Sequence, residues 1–351
     1  MSSQGENLAS PFFMKRSGKL KHLWLNYDAL LDAWWEVKRN KSYFFTILDY
    51  EQNLAVNLSN LLTSLENGTY RPEKLRSFYV HDPKTRLIEA PVLQDRIVQH
   101  ALLSVIGPLI EKRFIDHTYA CRIKKGTHAC SDQLVRYLVN YKSSGYCLKI
   151  DIEKYFYSID HHVLDVQLHQ IIKCEETLSF LKLFYRNESG KGLPLGNVTS
   201  QILANLALNP LDHFIKRQLK FHHYVRYMDD MVLLCDSKQR LRDALPQIKN
   251  VVESLCLKMN QKTKISCISE GIDFVGYKTW FNRRVIRKRS LYRIKHKLSQ
   301  NANQNRVASY LSHAKRTDSI VYVIKQILKV APDYRPWIEQ WYRKHFKNKV
   351  K

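Results

Sequence analysis

The chain reads as an α+β fold, with strands and helices mixed around an antiparallel sheet and followed by a basic helical end. Three observations predict it. Two apolar, β-prone runs, His222 to Arg226 and Met231 to Cys235, flank the polar turn Tyr227-Met228-Asp229-Asp230, the pattern of a strand-turn-strand. Elsewhere apolar residues recur at helical spacing over longer stretches. From Arg283 to Lys351, 19 Lys and Arg face only Asp318, Asp333 and Glu339, so this end carries +16 of a formal +25.

Taken in order, residues 20 to 66 are expected to be helical, with Leu30, Leu31, Trp34 and Trp35, then Leu54, Leu58, Leu61, Leu62 and Leu65 on helical faces and Gly68 as the stop. Ser77 to His81 and Arg86 to Ala90 form a hairpin turning at Asp82-Pro83, with Lys84 and Arg86 at its tip. Leu93 to Arg113 is interrupted by Gly107-Pro108, which predicts two short helices. Cys147 to Ile152 alternates as a strand reaching Asp151. Helices over His162 to Ile172 and Glu176 to Tyr185 precede the Gly- and Pro-rich loop Gly190 to Gly196. A helix opens near Thr199 and buries Ile202, Leu203 and Leu206, with Pro210 as a kink or break before Leu211, Phe214 and Ile215. The Asp229 hairpin follows, then a helix over Gln239 to Leu255 and short strands at Lys264 to Ile268 and Asp273 to Thr279. In the basic end, Asp318 to Val330 is an amphipathic helix with Thr317 or Asp318 as cap.

Composition bounds the rest. At 351 residues and 44% hydrophobic, the chain can bury one large core or two to three subdomains. There is no apolar run of about 18 residues, and Met1 to Ser10 is polar, so neither a membrane span nor a secretory signal is expected and a cytoplasmic location follows. Seven cysteines without a CxxC pair are expected to be reduced thiols, and His117, Cys121, His128 and Cys130 lack zinc-knuckle spacing and are expected to pack. The excess positive charge calls for a polyanion, and nucleic acid is the natural partner.

Asp229 and Asp230 at a strand-turn-strand tip are poor core residues and good metal ligands, although Asp is also common in turns for its local hydrogen bonding. Pairing of the Asp151 strand with this hairpin would bring the carboxylates together. Such a set can hold two Mg²⁺ ions about 4 Å apart, one activating a 3′ hydroxyl and the other neutralising a triphosphate. For Asp151 the ordinary alternative is a salt bridge with Lys149 or Lys154. Upstream, Lys84 and Arg86, then Arg122, Lys124 and Lys125 before Gly126, suit clamps on a triphosphate.

The ordered series Arg86-Leu-Ile-Glu-Ala-Pro, Tyr119-Ala-Cys-Arg-Ile-Lys-Lys-Gly-Thr-His, Lys149-Ile-Asp-Ile-Glu-Lys-Tyr-Phe, Leu195-Gly-Asn-Val-Thr-Ser-Gln, Tyr227-Met-Asp-Asp and Phe274-Val-Gly-Tyr resembles the blocks of bacterial and phage reverse transcriptases over roughly residues 20 to 280. Within that superfamily it looks most like the enzymes of diversity-generating retroelements. Group II intron enzymes usually read Gln-Gly-x-x-x-Ser-Pro where this chain has Leu195 to Gln201. The resemblance implies a right-hand polymerase with an N-terminal helical extension (1–75), fingers and palm (76–280) and a basic helical thumb (281–351).

It also implies roles. Asp151, Asp229 and Asp230 would be the catalytic carboxylates, with the Ile152 backbone completing the set around two Mg²⁺ ions, or Mn²⁺ as a substitute. Phe156 would exclude a ribose 2′ hydroxyl. Arg86, Arg122 and Lys124 would grip the triphosphate, with Leu195, Gly196 and Gln201 lining the nucleotide pocket. Phe274, Gly276, Tyr277 and Lys262 would lie by the primer and template. An aliphatic Leu195 in place of a Gln offers no hydrogen bond, which commonly shifts discrimination by about 1–3 kcal/mol. The implied outcome is error-prone cDNA with misincorporation opposite template adenines, made from a template RNA with dNTPs, a cDNA or RNA primer, and a small basic oligomeric accessory protein. Trp337 and Trp341 beside Arg335, Arg343 and Lys344 suit nucleic acid or a protein partner. The rival readings are a reverse transcriptase of a retron or phage-defence lineage, and a catalytically silent RNA-binding protein of polymerase shape.

Overall fold

The computed structural model describes residues 16–41, 44–81 and 85–346, and it is an α+β fold with antiparallel sheets. Four helices open it: α1 (Lys21–Trp24), α2 (Tyr27–Lys38), α3 (Phe45–Gln52) and α4 (Leu54–Glu66). Asn26 caps α2 by accepting from the Ala29 N–H at 2.8 Å. Leu30, Trp34, Leu58, Leu61 and Leu65 are buried as their spacing requires. Trp35 is 52% exposed, because one residue turns the helix about 100° and carries its ring off the buried stripe to lie under Lys38.

Strands β1 (Arg76–Val80) and β2 (Arg86–Ala90) pair antiparallel with Val80 opposite Arg86. The expected turn at Asp82-Pro83 and the tip residue Lys84 lie outside the described residues. Helix α5 (Leu93–Glu111) runs unbroken through Gly107-Pro108, which corrects the expected pair of short helices. Ile97, Val98, Ala101, Leu102, Ile106 and Ile110 are all buried on both sides of the proline. At about 1.5–3 kcal/mol for each large side chain, that burial exceeds the roughly 3 kcal/mol an internal proline costs.

Next come α6 (Thr127–Tyr141), β3 (Tyr146–Ile150), α7 (Tyr155–Ser158), α8 (His161–His169), α9 (Glu175–Lys182), α10 (Val198–Ala207) and α11 (Asn209–His213), the last separated from α10 at Leu208, with Pro210 in its first turn, and followed by a π turn over Phe214–Gln218. The hairpin β4 (Tyr224–Tyr227) and β5 (Asp230–Cys235) leads to α12 (Lys238–Ser254) and β6 (Lys264–Cys267). The expected strand over Asp273 to Thr279 is instead a hairpin of β7 (Ile272–Phe274) and β8 (Tyr277–Thr279). Val275 and Gly276, at φ 43° and 93°, fold back between them as a two-residue turn with both central residues left-handed. Strand β9 (Arg284–Ile286), not anticipated, joins β8.

Helices α13 (Lys288–Gln300), α14 (Gln304–Ala314), α15 (Ile320–Val330) and α16 (Arg335–Phe346) follow. Neither proposed cap serves α15: Asp318 Oδ2 accepts from the Arg284 N–H at 2.8 Å, and the Thr317 hydroxyl donates to Ala314 O at 2.8 Å.

The chain divides into two compact units. One comprises Met1–Cys121, Ile152–Gln218 and Ile248–Met259, and α2 packs on α5 in it around Trp24, Trp34, Leu58 and Leu102. The other comprises Arg122–Asp151, Leu219–Gln247 and Asn260–Lys351. It holds a four-stranded sheet in the order β4-β5-β3-β6, a three-stranded sheet β7-β8-β9, and a core of Tyr277, Leu298, Val307, Leu311, Val323 and Ile327 against which Trp337 and Trp341 are partly buried. All seven cysteines are free thiols; Cys121 and Cys256 are exposed. Among the described residues no helix is long and apolar enough to cross a membrane.

Candidate active site

Register assembles the acidic cluster. In the antiparallel pair β3·β5, Ile150 stands opposite Met231, so the next residue on β3, Asp151, falls opposite Asp230. The β4·β5 hairpin closes with Tyr227 opposite Asp230 and leaves Met228 and Asp229 as its two turn residues. Val225, Val232 and Leu234 are buried beneath the turn as expected. Met228 has φ 56°, at a turn position where a hairpin of this size ordinarily uses glycine, so the tip that displays Asp229 is strained. Arg226, fully buried, donates from Nη1 to Met228 O at 3.0 Å and braces that tip from below. The Asn260 N–H donates to Asp151 O at 2.7 Å, which fixes the backbone at the end of β3.

Asp230 carries the main electrostatic signal. Its side chain is 27% exposed, yet its Oδ1 is inaccessible and has no hydrogen-bond donor. Lys149 Nζ lies 3.3 Å from that oxygen, an ion-pair contact without hydrogen-bond alignment. Burial pushes the Asp230 carboxyl up to about 6; the Lys149 ammonium pulls it down, Asp151 pushes it up further, and Arg287 opposes. The sequence offered Lys149 as a partner for Asp151, but here it pairs with Asp230. Lys149 sits opposite Val232, which shares a face with Asp230, so the two side chains are diagonal neighbours.

An orphaned carboxylate oxygen beside a second carboxylate fits a hard divalent cation such as Mg²⁺. Among the described residues there is no group of three or more His, Cys, Asp or Glu side chains that could hold a metal ion, so the expected convergence of Asp151, Asp229 and Asp230 is not seen. Mg²⁺ binds through one or two carboxylates and keeps other positions for water and phosphate. Ile152 is buried and bridges Met259 through its backbone.

The Phe274 to Tyr277 hairpin lies in the same unit as the carboxylates. Phe274 and Tyr277 are fully buried; the Tyr277 ring stacks on His313 with centroids 4.7 Å apart, and its hydroxyl donates to His313 O at 3.2 Å. Lys262 is exposed in the turn before β6. Arg122 and Lys124 occupy the loop before α6. Lys124 is exposed at φ 61°, whereas Arg122 and Lys125 are half-buried.

The other unit gathers the remaining predicted residues. Lys154, left-handed at φ 45°, turns the chain into α7, which carries Phe156 half-buried. The Leu193 N–H donates to Phe156 O at 2.7 Å, the Gly192 N–H to Ile159 O at 2.8 Å, and His161 Nε2–H to Gly192 O at 2.7 Å, so α7 and the loop before α10 are laced together. That loop holds Leu195, half-buried, and Gly196; Gln201 is exposed on α10. Gly196 is pressed on β2: a Cβ there would meet Glu89 O at 2.1 Å. The close approach that requires glycine in this structure is therefore to the strand that carries Arg86 exposed at its start. A cavity of ≈ 550 Å³ opens nearby, lined by Glu73, Glu89, Tyr157, Pro194 and Asn197, but by neither Phe156 nor Leu195.

Sequence reasoning missed Arg226 and the true role of Lys149. The available signal was a charged residue at an inward position of a strand, where an unpaired charge is too costly to keep.

Residues 80–279, more than half of the chain, match the family described as reverse transcriptase (RNA-dependent DNA polymerase). Protein YkfC of Escherichia coli (strain K12) is 26% identical over 292 residues, 69% of this chain and 74% of that protein. The group II intron-encoded protein LtrA of Lactococcus lactis subsp. cremoris is 25% identical over 177 residues, 47% of this chain but 29% of that protein. Among solved structures, apo telomerase from Candida tropicalis aligns with a TM-score of 0.48 at 12% identity, covering 82% of this chain and 63% of that one.

Proposed function

The chain belongs to the reverse transcriptase (RNA-dependent DNA polymerase) family, and from that premise we propose that it extends a DNA strand along an RNA template. The observation that carries the proposal is the β3·β5 register, which sets Asp151 opposite Asp230 beside a strained turn bearing Asp229. In this reading the sheet β4-β5-β3-β6 is the palm, the β1·β2 hairpin belongs to the fingers, and α13 to α16 lie in a thumb over residues 281–351 whose net +16 follows the phosphates of the template-primer duplex.

Asp151, Asp229, Asp230 and the Ile152 carbonyl would hold the cations. Two bound Mg²⁺ ions would supply activation of the primer hydroxyl and neutralisation of the leaving pyrophosphate. Arg86, Arg122 and Lys124 grip the triphosphate, and the Phe156 ring excludes a ribose 2′ hydroxyl. Gly276 and Lys262 would lie by the primer and template, with the buried Phe274 and Tyr277 holding the hairpin in place.

The lineage proposed is that of diversity-generating retroelements, on the strength of Leu195 to Gln201. Leu195 gives the nucleotide pocket an aliphatic wall with no hydrogen bond to offer, which relaxes discrimination opposite template adenines. The partners are a template RNA, its primer, dNTPs and a small basic oligomeric accessory protein, in the cytoplasm. A second reading, a bacterial reverse transcriptase of another lineage, is favoured by the likeness to a group II intron-encoded protein. Single-nucleotide extension with A, C, G or U at the templating position separates the two. Wrong nucleotides accepted mainly opposite A support the retroelement lineage; equal fidelity at all four bases supports the other.

A further inference from the structure

Lys149 is not absorbed by the mechanism above. It is the charged residue of the Leu148-Lys149-Ile150 strand segment, its side chain is 25% exposed, and its ammonium stands between two acceptors. One is Asp230 Oδ1, at 3.3 Å; the other is the Asp273 carbonyl, to which it donates at 2.5 Å. Charge-assisted hydrogen bonds to a carboxylate run about 2.7–2.9 Å. Of the three donors of the ammonium one goes to the carbonyl, and the 3.3 Å contact with the carboxylate, longer than that range, is held mainly by charge. The carbonyl is itself held in place, because the Asp273 carboxylate forms an ion pair with Arg287 and Asp273 pairs with Lys278 across β7·β8.

We propose that Lys149 is a positioning residue that serves as a built-in counter-ion of the carboxylates, competing with the divalent cation for Asp230 and tethering the carboxylates to the Phe274 to Tyr277 hairpin through Asp273 O. The inference rests on the metal-binding reading of Asp151, Asp229 and Asp230. Its physical basis is that Asp230 Oδ1, buried and without a donor, cannot be left uncompensated when no cation is bound. An ammonium leaning toward the neighbouring carbonyl supplies that compensation without filling the oxygen's coordination position. When a cation arrives, Lys149 keeps its bond to Asp273 O, so the hairpin stays fixed while Asp230 changes partner.

The test is Mn²⁺ binding by the full chain without nucleic acid or nucleotide, read from the electron paramagnetic resonance of free Mn²⁺. Wild type is compared with Lys149→Gln, which keeps a donor for Asp273 O but loses the charge, and with Lys149→Arg, which keeps the charge. A neighbouring charge commonly moves the affinity of a carboxylate for a cation such as the proton by tenfold or more, so Lys149→Gln is expected to bind Mn²⁺ about tenfold more tightly. Lys149→Arg should stay close to wild type. A brace with no part in cation binding would instead lower the urea midpoint and leave Mn²⁺ affinity unchanged, which overturns the proposal. Should Lys149→Gln not fold, the wild-type Lys149 ε-methylene resonance, assigned by its absence in Lys149→Arg, must move on Mg²⁺ addition, and a resonance that does not move also overturns it. Absence of Mn²⁺ binding by folded wild type would overturn the metal-binding reading itself.

Discussion

Replacing Gly196 by alanine probes the packing that holds the loop before α10. The added Cβ would sit 2.1 Å from Glu89 O, 2.5 Å from Glu89 C and 2.8 Å from Ala90 Cα, all backbone atoms of β2. Reaching an ordinary contact of about 3.4 Å requires the two segments to part by roughly 1.3 Å. The loop cannot yield freely, since Asn197 Nδ2 donates to Phe184 O at 2.7 Å and the Val198 N–H donates to Gln99 Oε1 at 2.9 Å. Strand β2 must move instead, and Arg86 with it. Overpacking of this kind costs about 1–3 kcal/mol, occasionally more, and the upper end is expected because both sides are backbone. At roughly 1.4 °C per kcal/mol in a chain of 351 residues, thermal unfolding should fall by about 4 °C. Gly68→Ala is the control: it adds a Cβ into open space at φ 68°, so only the backbone penalty of about 1–2 kcal/mol applies. Steady-state extension kinetics should show a raised KM for dNTP in Gly196→Ala and none in Gly68→Ala. A Gly196→Ala protein with wild-type melting and wild-type KM would refute the packing argument.

Three further outcomes are expected. The Asp230 carboxyl binds its proton more tightly folded than unfolded, so its contribution to stability is present below about pH 4 and is lost as pH rises through 6, by at most about 3 kcal/mol. In EDTA, wild type should lose stability relative to Asp230→Asn between pH 4 and 7, and parallel urea curves would contradict this. Met228→Gly relieves the φ of 56° and should raise the urea-derived stability by about 1 kcal/mol, while extension slows because the turn that presents Asp229 loosens; an unchanged or lowered urea midpoint would count against strain at the tip. Asp132 accepts from Arg284 at 2.7 Å and also pairs with Arg316, and Arg284 is only 13% exposed. Asp132→Asn should therefore cost about 2 kcal/mol in urea unfolding, with an unchanged midpoint counting against any structural role for the pair.

Much of the site was legible because it depends on local pattern. The alternation on either side of Tyr227-Met-Asp-Asp fixes the hairpin, and a strand running into Asp151 needs only an antiparallel neighbour to meet it. What resisted reading depended on tertiary packing. Burial on both sides of Pro108 carries α5 through a proline that sequence alone treats as a break. The turn at Val275-Gly276 is hidden because Val rarely adopts φ 43°, so Asp273 to Thr279 looks like one strand. Lys149 could be paired with any nearby acid from sequence, and only the register with Val232 assigns it to Asp230. The caps expected for α15 failed because Arg284, 34 residues from Asp318, claims that carboxylate first.

The most direct test of the central claim is extension of a DNA primer on an RNA template with dNTPs and Mg²⁺, comparing wild type with Asp151→Asn and Asp229→Asn after each is shown to melt like wild type. The account predicts RNA-templated products from wild type, loss of at least about two orders of magnitude in rate in both variants, and no product in EDTA. Wild-type extension that survives either substitution would contradict the assignment of these carboxylates, and a folded wild-type chain inactive with template RNA, primer and accessory protein supplied would contradict the polymerase function itself.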